Sequence, residues 1–262
     1  MGKNKLKKFA DMQGYRCVLQ YPWARLQEEP FPYRGEWNRN FFGNSNPITL
    51  ELGCGKGEYT VELARRHPDR NFIGIDIKGA RMWTGASQAV AEGLTNVAFL
   101  RTDIELLPSF FTAGEVDEIW VTFPDPQMQK TRKRLTSTRF LNLYAQVVVA
   151  EARIRLKTDS PFLYAYTSRL LCANQIKPVA DTDDLYSLPG GDPVLDEVRM
   201  VKTFYEQQWL SRGKTIKYLD FRLPDATLKE VDDSDIPRDD YHSYPRGIAQ
   251  SMPEQLAALT KK

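Results

Sequence analysis

From residue 48 onward, short apolar runs of strand length alternate with stretches whose apolar positions recur at helical spacing. Ile48–Leu52, Asn71–Ile77, Val97–Arg101 and Glu118–Phe123 are rich in β-branched and aromatic residues and read as strands. Between the first three lie Glu58–Arg66 and Gly79–Glu92, both of helical period. Strands that alternate with single helices are joined by right-handed crossovers, giving a mostly parallel sheet with helices on both faces. The predicted fold is α/β and doubly wound.

Further on the pattern is looser. A polar, basic linker follows Pro126, then a predicted helix over Ser137–Val149, a strand over Arg153–Lys157 and a helix over Pro161–Ala173. Asp181–Glu197 holds six acids, no Lys or Arg, and the run Leu188-Pro-Gly-Gly-Asp-Pro193, so it reads as a loop. Met200–Arg212 is helical, and Thr215–Arg222 alternates as an edge or closing strand would. Ser251-Met-Pro-Glu254 is a capping box with Pro just inside, introducing a short helix with Leu256 and Leu259 on one face. The division expected is a basic and aromatic extension over 1–45, the main domain over 46–223 and a tail over 224–262. Internal repeats are absent from the sequence.

Composition adds exclusions. The 262 residues are 42% hydrophobic and 27% charged, ordinary for a globular chain. Thirty-six Lys and Arg against 34 Asp and Glu leave +2, so a nucleic-acid partner must be held by local patches. Cys17, Cys54 and Cys172 are odd in number and far apart, which suits a reducing compartment better than a disulfide framework or a zinc site. No apolar stretch follows Lys3, Lys5, Lys7 and Lys8 as in a secretory signal, and the aliphatic run Val147–Ala150 is too short for a bilayer. Leu6 stands where myristoylation requires Ser or Thr. A cytoplasmic protein is expected. His67 and His242 read as surface or capping residues, so no metal site is expected.

Glu51-Leu-Gly53-Cys-Gly55-Lys-Gly57-Glu58 leaves a strand and enters a helix, and carries the clearest chemistry. Glycines there let the backbone turn tightly and a ligand approach main-chain N–H groups. A dinucleotide fingerprint would place its third glycine at position 58, where this chain has Glu. Glu51 and Glu58 would also repel a pyrophosphate, whereas an amine or a sulfonium is attracted. Asp76 ends the second strand 19 residues after Gly57, near the roughly 20-residue spacing at which an acid reaches ribose hydroxyls. Asp103 ends the third strand in the same crevice. Adenosine with a cationic amino-acid arm meets these demands, which points to S-adenosylmethionine. Cys54 reads as a small packing residue rather than a nucleophile.

Phe123-Pro-Asp125-Pro126 ends the fourth strand, where an acceptor would meet the cofactor, and its prolines stiffen the backbone around Asp125. Alone it could be a structural turn. Five basic residues and no acid follow between Lys130 and Arg139, a candidate phosphate-binding patch of Lys130, Arg132, Lys133 and Arg134. Trp23, Phe31, Tyr33, Trp37, Phe41 and Phe42 crowd the segment before the first strand. Packing over the sheet edge is favoured for them over stacking on RNA bases.

Glu51-x-Gly53-x-Gly55-x-Gly57, Gly74-Ile-Asp76, Phe123-Pro-Asp-Pro126 with its basic tail, Lys157-Thr-Asp159 and Thr203-Phe-Tyr-Glu206 resemble, in that order, the tRNA (guanine-N7)-methyltransferase family. The resemblance spans Leu6 to Arg222. It implies a Rossmann-like class I methyltransferase fold that uses S-adenosylmethionine to form 7-methylguanosine in the tRNA variable loop. It further implies that Glu51, Gly53, Gly55, Gly57, Asp76, Asp103 and Asp125 bind cofactor, and that Asp125 is catalytic. Gln129, Lys130, Arg132, Lys133, Arg134, Asp159, Thr203 and Glu206 would then contact tRNA. One departure stands out: the family's Trp, and its Lys two residues later, after Pro-Asp-Pro are Gln127 and Gln129 here, leaving Lys130 as the candidate for the missing lysine's role. Two alternatives remain open, a class I methyltransferase acting on a small molecule or protein, and a non-catalytic RNA-binding module on the same fold. The chain is expected to be a monomer or homodimer.

Overall fold

The computed structural model describes residues 3–240, with side chains from residue 6 onward. Its eight strands are β1 (Val18–Gln20), β2 (Ile48–Leu52), β3 (Asn71–Ile75), β4 (Val97–Arg101), β5 (Val116–Thr122), β6 (Val148–Thr158), β7 (Pro178–Thr182) and β8 (Lys217–Arg222). The helices are α1 (Lys3–Gln13), α2 (Trp23–Glu28), α3 (Glu58–Arg66), α4 (Gly79–Ala91), α5 (Thr138–Tyr144), α6 (Pro161–Ala173), α7 (Pro193–Met200) and α8 (Phe204–Ser211). The strands form one sheet in the order β1-β4-β3-β2-β5-β6-β8-β7. All pairings from β1 to β6 are parallel; β8 runs antiparallel to both β6 and β7.

Alternation along each strand sends side chains to two cores. Leu50, Ile73, Ile119 and Leu156 join one cluster with Trp37 and Tyr144. Phe72, Phe99 and Trp120 join the other with Tyr59 and Met82. All five residues of β2 are buried, as expected of a central parallel strand. The chain reverses direction across the sheet between β2 and β5, so their carboxyl ends flank the crevice where open α/β sheets bind ligands.

The four strands expected first are all present, with β3 ending at Ile75, two residues early. Later segments differ more. The helix expected over Ser137–Val149 stops at Tyr144, because Val148 and Val149 already belong to β6, whose pairing with β5 shifts register between Val116 and Glu118. Asp181–Glu197 is not one loop. Its first residues finish the edge strand β7, and Asp192 caps α7 by accepting from the N–H groups of Val194 and Leu195, with Pro193 at the first helical position. Met200 ends α7, and the helix expected over Met200–Arg212 is α8, which begins only at Phe204, capped by Thr203. Strand β8 lies inside the sheet, covered by β7.

The segment before β2 does more than decorate the sheet. Val18 and Leu19 pair with Phe99 and Leu100, making β1 an edge strand. The indole N–H of Trp37, fully buried, donates to the Phe110 carbonyl at 2.9 Å, and its ring stacks on Phe111. Phe31 and Phe41 are buried with it, whereas Trp23 remains exposed. Beyond Leu223 the chain recrosses the core and buries Leu228 and Ile236. The capping box at Ser251 with Leu256 and Leu259 lies outside the described residues.

That returning segment carries Asp233, which pairs with the fully buried guanidinium of Arg134. Removing one partner of a buried pair strands the other charge. Asp233→Ala should therefore lower the unfolding free energy by about 3 kcal/mol in urea titration. Asp235→Ala, which loses only an exposed pair with Arg169, should leave the midpoint unchanged. Equal midpoints for the two variants contradict this account.

Candidate active site

Strand β2 delivers Glu51 and then turns through glycines. Gly53, Gly55 and Gly57 have φ of +76°, +55° and +72°, conformations that disfavour any side chain. Gly57 is constrained twice over, since a Cβ there would come within 2.5 Å of the Phe99 ring. The amides of Gly53 and Cys54 donate to the Ile75 carbonyl, and that of Gly55 donates to Asp76 Oδ2 at 2.9 Å. Asp76 Oδ1 accepts from the Lys78 amide at 2.6 Å. The loop after β2 is thus tied to the tip of β3, and Asp76 is fixed at their junction.

Glu51 is buried beneath this loop. Its Oε2 accepts from the Thr60 amide at 2.8 Å and from the Thr60 hydroxyl; Oε1 accepts from Thr122 Oγ1 at 2.7 Å. Burial raises its carboxyl to about 7, the hydrogen bonds from Thr60 and Thr122 acting in the opposite sense. A cation bound close to this carboxyl favours its ionised form. Glu51 lines a cavity of about 250 Å³ with Gly53, Gly55, Phe123, Thr203 and Tyr205. Lys56 and Arg81 lie at the same cavity and suit a ligand carboxylate.

Beyond Asp76 a second cavity of about 370 Å³ opens at the ends of β3 and β4, lined by Ile77, Asp103, Leu106 and Trp23. Asp103 is exposed and accepts from the Glu105 amide. The sequence of surfaces is then carboxyl and glycine turn, Asp76, and an apolar recess. This donor set fits the amino-acid arm, ribose and base of S-adenosylmethionine.

Strand β5, beside β2, ends in Phe123-Pro-Asp125-Pro126. Phe123 and Gln127 both have φ of +47°, a strained choice for side chains larger than glycine. Asp125 is exposed, and its Oδ1 accepts from the Gln127 amide at 3.0 Å. The carboxylate therefore stands just past the tip of β5, the strand beside β2, held by its own turn.

The basic segment divides in two. Gln129, Lys130 and Arg132 are exposed, and Lys133 Nζ lies 2.7 Å from Glu105, which Arg139 also contacts. Hydrogen bonds from Arg139 and Lys133 hold Glu105 below the usual carboxylate range. Arg134 departs from the expected phosphate contact. It donates to the carbonyls of Gln127 and Met128 and lies over the rings of Phe162 and Tyr166. Its role is to fasten the loop that carries Asp125.

Glu206 likewise departs from the expected substrate contact. It is fully buried, 2.8 Å from Lys157 Nζ, and accepts from the Tyr186 hydroxyl. Burial lowers the Lys157 ammonium to about 8, against the raising effect of Glu206. Thr203 accepts from the Glu206 amide and lines the smaller cavity, so the pair places α8 at the cavity wall. Asp159 is buried at the end of β6, 3.7 Å from Lys214 Nζ. Thr60 and Thr122 were not singled out by sequence reasoning; Thr122 alternates with Val121 on β5 and carried no other mark. Among the described residues no group of His, Cys, Asp or Glu could hold a metal ion, and no helix is long and apolar enough to cross a membrane.

Fold and site together define a methyltransferase dependent on S-adenosylmethionine. Residues 45–219 match a family model described as "Putative methyltransferase". The 16S rRNA methyltransferase KamB superposes with a TM-score of 0.55 over 75% of this chain and 95% of its own, a likeness of fold at 17% identity. A tRNA (guanine-N(7)-)-methyltransferase of Bacteroides thetaiotaomicron is 52% identical over 94% of this chain and 96% of its own. One from Porphyromonas gingivalis is 57% identical, covering 92% and 100%. The chain belongs to the tRNA (guanine-N(7)-)-methyltransferase family.

The carboxyl of Glu51 supplies a pH test. Its folded pKa lies above the ordinary 4.5, so its contribution to stability is full below pH 4.5 and is lost as pH rises through about 7. In the cofactor-free protein, Glu51→Gln should relieve up to about 3 kcal/mol of that loss. The check is urea unfolding of both proteins at pH 5 and pH 8. A wild-type minus variant difference that is the same at both values refutes the buried-acid assignment.

Proposed function

We propose that this chain methylates N7 of a guanine in the tRNA variable loop, with Asp125 as the catalytic carboxylate. The observation that carries the reading is the adjacency of two loops at the switch point, the glycine turn over Glu51 and the rigid Pro-Asp-Pro turn. Bound S-adenosylmethionine supplies an electrophilic methyl on a sulfonium. Glu51 and Asp76 position the cofactor's arm and ribose. Guanine N7 presents a lone pair, so no proton has to leave before transfer. The protein's task is alignment and charge stabilisation. Asp125 faces the positive charge that grows on the base, and its two flanking prolines keep it from retreating.

Substrate grip comes from phosphate contacts. Lys130 and Arg132, exposed beyond Pro126, are assigned to them, and Gln129 to the neighbouring ribose or base edge. The enzyme is read as cytoplasmic, a monomer or homodimer, with residues 46–223 as the catalytic unit.

Asp125→Ala should fold and bind S-adenosylhomocysteine as wild type does, yet lose at least about a hundredfold in single-turnover tRNA methylation. Near wild-type turnover sinks the catalytic assignment. The double change of Lys130 and Arg132 to Ala should weaken tRNA binding and flatten its salt dependence by nearly two counterions' worth of slope. An unchanged slope would instead favour a small-molecule or protein acceptor.

A further inference from the structure

Trp23 is unlike the other aromatics of its segment. Phe31, Trp37 and Phe41 are no more than 6% exposed, whereas Trp23 is 61% exposed. The backbone around it is nevertheless firmly held. Strand β1 pairs with β4, the Tyr21 amide donates to the Arg101 carbonyl at 3.2 Å, and Thr102 Oγ1 donates to the Tyr21 carbonyl at 2.8 Å. Pro22 then fixes the entry into α2, of which Trp23 is the first residue. Arg25 lies over the Tyr21 ring and pairs with Glu29. The fold thus builds a rigid mount and sets an indole on it without covering it.

The indole borders the 370 Å³ cavity at the ends of β3 and β4. The same cavity is lined by Ile77, 60% exposed, the residue directly after Asp76. Two large apolar side chains left open on one recess call for a flat apolar occupant. Asp103, exposed at the same cavity, adds a polar partner for its edge. A purine has that shape and that edge. Asp76 accepts from Gly55 of the Glu51 cavity and immediately precedes Ile77 of this recess, so a nucleoside with its ribose at Asp76 and its charged arm toward Glu51 directs its base here.

We propose that Trp23 is a cofactor-binding residue, its indole stacking on the adenine ring over the recess floored by Ile77. This rests on the assignment of S-adenosylmethionine to the crevice. It makes the segment before β2 part of the cofactor site, although the glycine turn and its acids lie wholly outside that segment. It also separates Trp23 from the RNA-stacking role its exposure would otherwise suggest.

The test uses the full chain with S-adenosylhomocysteine as probe. Trp23→Ala should weaken its binding by calorimetry roughly tenfold or more, the scale of one base–aromatic stack, while Trp23→Phe keeps a ring and stays within about threefold of wild type. Ligand addition should quench wild-type tryptophan emission, and Trp23→Phe should abolish most of that quench although four tryptophans remain. Affinity of the cofactor-free protein for unmodified tRNA should be the same for all three. Wild-type binding that is unaltered in Trp23→Ala overturns the proposal, as does a loss of tRNA affinity with cofactor affinity intact. Failure of the wild type itself to bind the probe would instead overturn the cofactor reading on which the proposal rests.

Discussion

A carboxyl group buried at the end of the central strand organises this molecule. Glu51 touches three elements at once: its own strand β2, helix α3 through Thr60, and strand β5 through Thr122. Burying an acid is costly unless its oxygens are satisfied. The satisfying groups here lie on α3, which follows the glycine turn, and on β5, whose carboxyl end flanks the crevice. The glycine turn must pass over this group closely enough for Gly55 to reach Asp76, and Gly57 must be glycine for α3 to settle against Phe99. The acid therefore ties β2 to α3 and β5 on one face of the sheet and, being raised toward 7 by burial, is a group that gains when a cation arrives.

The central half of the fold was legible because its local signals agree with one another. Period-two runs, glycines at a strand end, and acids at the tips of β2, β3 and β4 all point to a parallel sheet with a ligand at its carboxyl edge. Helix α3 was read to its last residue. The antiparallel half was less legible for specific reasons. Val148 and Val149 extend an apolar helical pattern but belong to a strand, because a register shift opposite β5 accommodates them. The acidic stretch after Asp181 hides a strand whose alternate residues face solvent and a helix begun by an Asp-Pro pair.

Site residues divided along a similar line. Charge type and spacing singled out Glu51, Asp76, Asp103 and Asp125, and the structure sets all four at or just past the carboxyl ends of β2, β3, β4 and β5. Charge type could not separate Lys130 and Arg132, which face water, from Arg134, which is sealed between aromatic rings and Asp233. The same holds for Glu206, whose partner Lys157 lies 49 positions earlier in the chain. In both cases the decisive fact is a long-range ion pair, invisible to local pattern. The near-neutral total of +2 also conceals segregation: the exposed cations of the basic segment adjoin the Pro-Asp-Pro turn, while acids collect over 181–197 and beyond Leu223, where Asp233 braces Arg134.

The central claim is that the crevice between β2 and β5 brings a methyl donor to a purine of tRNA. Incubating the full chain with methyl-labelled S-adenosylmethionine and unmodified tRNA, then mapping the labelled nucleotide, tests it most directly. The account predicts label confined to 7-methylguanosine in the variable loop. Label on another base or another atom, or none at all from a protein that binds the cofactor, would contradict it.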